Sequence, residues 1–311
     1  MQHPGKTVRS TGAIILEYRN PEIPEGINTT ETHPLKELIF LLAVVTAGAI
    51  TITATLSMMI DWTADTIPFE FETALSQPLE AQLKSEPNEV DRYLQQLADS
   101  ISPYMDLPGD VKIHVHYVNK DTVNAMATLG GHVIIYRGML ERLPDENTLV
   151  MLLGHEIAHI KLRHPIKALG KGIIISLALS AIMGQSSDSV VNVITDTSML
   201  TLLSFSRDQE QASDEEGIKA LNAFYRHVHG ATELFEILQQ AHQQNAIDVP
   251  QLLSSHPDTE SRIERLNEIA DTQGWTRHGA TKAIPEKILR IIAGDKQRMS
   301  NDVKQNVLAI N

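Results

Sequence analysis

The chain has no cysteine among its 311 residues, so disulfides, thiol nucleophiles and thiolate metal ligands are excluded. Imidazole and carboxylate are left as the strong metal-binding side chains, and histidine is plentiful at 13. A positive charge balance is also missing. The 26 Lys and Arg against 39 Asp and Glu leave a formal net charge of -13, which disfavours nucleic acid as a partner. Low-complexity tracts and internal repeats are absent, which excludes a solenoid. Aromatic residues are few, yet 42% of the chain is hydrophobic and 21% charged, the mix of a folded protein with a core.

Charge and proline are missing together from Leu38 to Ile60, between Glu37 and Asp61. At about 1.5 Å per residue such a run spans the roughly 30 Å of bilayer hydrocarbon, so a single transmembrane helix is expected over 37–61. It is too long for the apolar part of a signal peptide. Lys6, Arg9, Arg19 and Lys36 precede it, and no Lys or Arg lies between Asp61 and Leu83. This bias places 1–36 in the cytoplasm. The remainder is expected in the periplasm of a bacterial inner membrane, with a helical connector over 62–110, a catalytic domain over 111–273 and a basic tail over 274–311.

Val111 to Val118 alternates with period 2, and Asn124 to Thr128 and His132 to Tyr136 read as two further strands about Gly130-Gly131. His114 and His116 share one face of the first strand; with no third ligand apparent beside them, a solvated face is the expected reading. Pro144-Asp145-Glu146 opens a helix that Lys161, Arg163 and His164 close with positive charge before Pro165. Gly172 to Phe205 is largely apolar, and it reads equally as core helices, as a cover over a cleft or as a surface touching the bilayer. Helical spacing recurs at Glu210 to Tyr225, Ala231 to Gln239 and Asp258 to Ala270.

The long helix carries His155-Glu156-Ile157-Ala158-His159. Residues i and i+4 lie one above the other, so His155 and His159 can offer two ring nitrogens to one zinc ion, with Glu156 beside them to take a proton from the attacking water. A catalytic zinc needs a third protein ligand. No histidine stands six residues after His159. Glu210 and Asp214, at i and i+4, are candidates, although spacing alone leaves a solvated acidic face equally open.

The order HEIAH, then SRDQEQASD, then Ser255-His256-Pro257 before an Arg-containing helix resembles the HtpX, BepA and CAAX prenyl protease superfamily of zinc metallopeptidases. Asn124-Ala125-Met126-Ala127 followed by Gly130-Gly131-His132-Val133-Ile134 is similar to that family's strand pair. The resemblance implies a mostly helical, gluzincin-like α+β domain with a small sheet, one Zn2+ per chain, Glu210 as third ligand and Asp214 supporting the site. It implies that His132, Val133, Ile134, Ile135 and Tyr136 form the sheet edge on which a protein or peptide substrate adds as a strand. It also implies that His256 lies near the zinc, either stabilising the transition state or filling the open position at rest. A single span departs from HtpX and the prenyl proteases, which points toward BepA-like quality control of misfolded or membrane-associated proteins. A membrane-tethered chaperone or adaptor on the same fold is the alternative, and Glu156 argues against it because binding alone needs no general base.

Overall fold

The computed structural model describes residues 33–83, 86–183, 205–244 and 259–310. The chain divides into two compact units, Met1–Gly48 and Ala49–Asn311. The first contains the amino-terminal part of helix α1 (Pro34–Thr63), where Leu38, Phe40, Leu41 and Leu42 are all exposed. No residue of α1 is buried. Among the described residues it is the one helix long and apolar enough to cross a membrane, and its bare apolar surface is the opposite of what a core helix shows.

In the second unit, helices α2 (Phe69–Leu83) and α3 (Glu89–Ile101) precede strands β1 (His114–Val118), β2 (Ala125–Thr128) and β3 (His132–Tyr136). The helices that follow are α4 (Arg137–Leu140), α5 (Glu146–Lys161), α6 (His164–Met183), α7 (Arg207–Tyr225), α8 (Glu233–Gln244), α9 (Thr259–Gln273) and α10 (Glu286–Ile310). Val115, Val133, Ile135, Ala125 and Ala127 from the sheet join Leu149, Leu153 and Ile157 of α5 in one apolar core. Alternation along the strands sends His114, His116 and His132 to the other face.

The sheet order is β1-β3-β2, with β1 parallel and β2 antiparallel to β3. This corrects the expected sheet edge. His132 to Tyr136 forms the central strand, flanked on both sides, because Gly130 and Gly131 adopt φ of 73° and 83° and fold β3 back between its neighbours. A Cβ on Gly131 would lie 1.9 Å from the Lys112 carbonyl oxygen, so only glycine fits there. The outer edge of β1 is sealed by α3. Gln95 accepts from Val115 N (2.8 Å) and donates to Ile113 O (2.9 Å), and Asp91 accepts from Tyr117 N (2.7 Å). β2 is the other edge strand of the sheet, and all four of its residues are buried.

The connector and the tail are parts of the domain rather than appendages to it. Val90, Leu94, Leu97 and Ile101 of α3 are buried in the core at helical spacing. The expected tail contributes Ile284, Ile288 and Ile292 to the same core. Its start is tied to α5, where Lys282 N donates to Asn147 Oδ1 (2.8 Å) and Lys282 O accepts from Glu146 N (2.7 Å).

Candidate metal centre

Helix α5 starts as its sequence dictates, with Asp145 accepting from Thr148 N at 2.8 Å. It ends one turn earlier than expected. Leu162 caps it, Arg163 turns the chain with φ 62°, and His164 begins α6. His164 is therefore not a cation at a helix end. It is buried, its Nδ1 lies 2.9 Å from His159 Nδ1, and burial pushes its pKa down to about 3. A neutral His164 accepts the His159 Nδ1 proton, which places the lone pair of that ring on His159 Nε2. Phe205 stacks on the same ring at 4.0 Å.

Two glycines let α7 approach α5 at the height of the histidines. A Cβ on Gly154 would lie 3.2 Å from Gly217 Cα, and one on Gly217 would lie 3.1 Å from His155 N. Through this close crossing α7 presents Glu210 and Asp214, both buried. His155 Nε2 lies 3.0 Å from His159 Nε2, and Glu210 oxygens lie 3.5 Å and 3.4 Å from these two nitrogens. Asp214 Oδ1 lies 2.9 Å from His155 Nδ1, so the carboxylate faces that nitrogen and leaves His155 Nε2 directed toward the same point. Glu156 is fully buried in the same turn of α5.

Arg262 of α9 completes the cluster. Its Nε and Nη2 donate to the two oxygens of Asp214, both at 2.7 Å, and its Nη1 pairs with Glu210 Oε2 at 2.9 Å. Burial pushes the Asp214 carboxyl up, but Arg262 and His155 outweigh this and hold it below the usual carboxylate range. Sequence reasoning left Arg262 as an arginine in a helix, because its partner Asp214 is 48 residues away in the chain. His256 lies outside the described residues, as does 184–204 of the apolar segment.

The donors fit a metal ion. Tetrahedral coordination with bonds near 2.0–2.2 Å places ligand atoms roughly 3.3 Å apart, and the donor atoms of His155, His159 and Glu210 all lie within 4.8 Å of one another. Two imidazoles and a carboxylate, without sulfur, make up a donor set that zinc accepts. The sequence pattern of peptidase family M48 matches residues 86–270, more than half of the chain.

The chain belongs to peptidase family M48.

The M48 match begins before α3 and ends within α9, so it takes in residues 86–110 of the connector that the sequence had set apart. Among relatives, the β-barrel assembly-enhancing protease of Escherichia coli K12 is 26% identical over 161 residues, which cover 48% of this chain and 33% of that protein. Mitochondrial metalloendopeptidase OMA1 of Schizosaccharomyces pombe is 27% identical over 166 residues, or 51% and 47% of the two chains. Human OMA1 is 26% identical over 186 residues, 53% of this chain and 34% of its own. The match thus spans about a third to a half of the length of these relatives.

Within this M48 centre, Asp214→Asn is expected to weaken zinc binding about 10–100-fold, the usual scale for a group that orients a ligand. Glu210→Gln should weaken it further, because it removes a donor itself. Metal titration of both variants checks this order. A stronger loss at Asp214 would exchange their roles.

Proposed function

We propose that this chain is a membrane-anchored zinc endopeptidase that hydrolyses peptide bonds of misfolded or membrane-associated proteins. The observation that carries the reading is the convergence of His155 Nε2, His159 Nε2 and Glu210 within 3.0–3.5 Å of one another, with Glu156 on the same turn of α5. The chemistry that a zinc ion supplies at such a centre is Lewis-acid polarisation of water and of a carbonyl. Glu156 serves as general base, removing the proton of the attacking water and passing it to the leaving amine. Arg262 and Asp214 hold Glu210 and His155 in register, and His164 does the same for His159. An extended substrate adds to the edge strand β2 after displacing what buries it, and main-chain hydrogen bonds then give affinity with little side-chain selectivity. His256 remains in this reading as a residue near the ion, either a transition-state donor or a resting ligand. Degradation of unfolded casein by the detergent-solubilised chain, abolished by a chelator and restored by zinc, tests the activity. Zinc-replete chain that leaves casein intact would overturn it.

The membrane placement rests on α1 and extends to α6. Lys171 pairs with Asp61 in the last turn of α1 (2.7 Å) and Lys167 with Asp65 just after it (3.1 Å), so the first half of α6 is tied to the end of α1. Gly170 faces Ile60. Beyond these ion pairs α6 has no charged residue, and Ile175 and Leu177 are about half exposed. This is the pattern of a helix that dips its apolar end into the bilayer beside the anchor. The lack of native cysteine permits single-cysteine spin labelling at 175 and 177. In vesicles, collisions with oxygen should exceed those with a water-soluble relaxer at both positions; the reverse ratio would place the end of α6 in water.

A further inference from the structure

A second cluster of histidines lies on the face of the sheet away from the core shared with α5. His116 Nε2 is 2.9 Å from His132 Nδ1, and His132 Nε2 is 3.3 Å from Glu80 Oε1 on α2. The ring of His114 stacks on that of His132 with centroids 5.2 Å apart. The three side chains and Glu80 line a cavity of about 630 Å³ bounded by α2, α3 and β1. The sequence offered His114 and His116 with no third partner. The third partner comes from β3, which the glycine turn folds into the centre of the sheet, so that His132 stands opposite His114 in register.

We infer that His114, His116 and His132 form a second transition-metal site, separate from the proteolytic centre and selective for a divalent ion that favours imidazole, with zinc as the probe. The pair His116–His132 with its carboxylate partner repeats part of the geometry of the first centre, whose three donors already converge. There, Asp214 faces one nitrogen of His155, whose other nitrogen lies 3.0 Å from a neighbouring imidazole. Here, Glu80 accepts from His132 Nε2–H, so His132 Nδ1 carries a lone pair directed at His116, 2.9 Å away. In each pair the nitrogens stand near the roughly 3.3 Å that two ligands of one tetrahedral ion require. The ion takes the place of the hydrogen that His116 Nε2 shares with His132 Nδ1, and that hydrogen moves to His116 Nδ1, so the ring stays neutral. His114, exposed on the same face of β1, supplies the third nitrogen by a side-chain rotation, and water fills the fourth position.

Protons do not compete strongly for these ligands at neutral pH. Burial, reinforced by the neighbouring rings of His116 and His114, pushes His132 down to about 4. Burial likewise holds His116 below its ordinary value. Neutral imidazole is the form that binds metal. An ion here would bridge β1 and β3, and through Glu80 would steady α2, the helix that follows the membrane anchor.

The test is metal stoichiometry of the untagged full chain in detergent, measured by elemental analysis after equilibrium dialysis against micromolar zinc. Wild type is expected to hold two equivalents. His155→Ala/His159→Ala should keep one, as should His116→Ala, whose site is only partly buried. Glu80→Gln should retain the second ion with an affinity about 10–100-fold lower. Circular dichroism confirms that each variant is folded. A single equivalent in wild type, or two equivalents undiminished in both His116→Ala and His114→Ala, would overturn the proposal. Retention of one ion by His155→Ala/His159→Ala keeps this outcome separate from any failure of the proteolytic reading.

Discussion

Replacing Glu156 with glutamine is expected to lower peptide hydrolysis by about 10²–10⁴-fold, the usual contribution of a positioned general base, while zinc stays near one equivalent at the His155 centre. The two effects separate because Glu156 is not among the three donors; His155, His159 and Glu210 converge without it. Glutamine preserves the length and volume of the side chain in a fully buried position, so packing of α5 should change little. It can still hydrogen-bond to water but cannot accept its proton. The loss should therefore fall on kcat with KM almost unchanged, as is expected when an interaction made only in the transition state is removed. His155→Ala, by contrast, should lose the metal and the activity together. Casein hydrolysis and metal content, measured on the same preparations, decide the matter. Full activity in Glu156→Gln with zinc bound would remove Glu156 as the general base and assign that step to another group.

Local signals in the sequence proved reliable because they depend on neighbours in the chain. The i, i+4 spacing of His155 and His159, the start of α5 at Pro144-Asp145-Glu146 and the extent of β3 from His132 to Tyr136 were all legible, since each rests on a few neighbouring residues. The order of strands was not. Pairing of β3 between β1 and β2 follows from the tight turn at Gly130-Gly131 and from the sealing of β1 by Gln95 and Asp91, contacts that no single stretch of sequence displays. His164 was misread for a related reason, since a histidine beside Lys161 and Arg163 looks like part of a basic helix end, and only the reversal at Arg163 turns it inward. The spacing of Ile284, Ile288 and Ile292 was visible, but the charged residues between them masked a buried stripe. Family pattern compensated where physics alone left a tie, at Glu210 and Asp214.

Arg262→Ala is expected to be the most destabilising single change in the domain. The guanidinium is about 96% shielded, as its side-chain exposure of 4% shows, and its carboxylate partners are 1% exposed. Removing one member of a buried charge cluster strands the others, at a cost of about 3–5 kcal/mol. The cost should depend on the metal. With chelator, Glu210 and Asp214 face each other with no cation between them, and melting of the solubilised chain should drop by the full amount. With zinc, the ion neutralises Glu210, and binding to the folded state alone restores part of the loss. Arg262→Lys should lie between, since a point charge cannot reproduce the fork that spans both oxygens of Asp214. Arg262→Met combined with Asp214→Asn should cost less than the sum of the single changes, because the partners are removed together. Equal melting of Arg262→Ala and wild type in chelator would mean that the cluster is not held by charge. Equal losses with and without zinc would instead detach Arg262 from the metal centre.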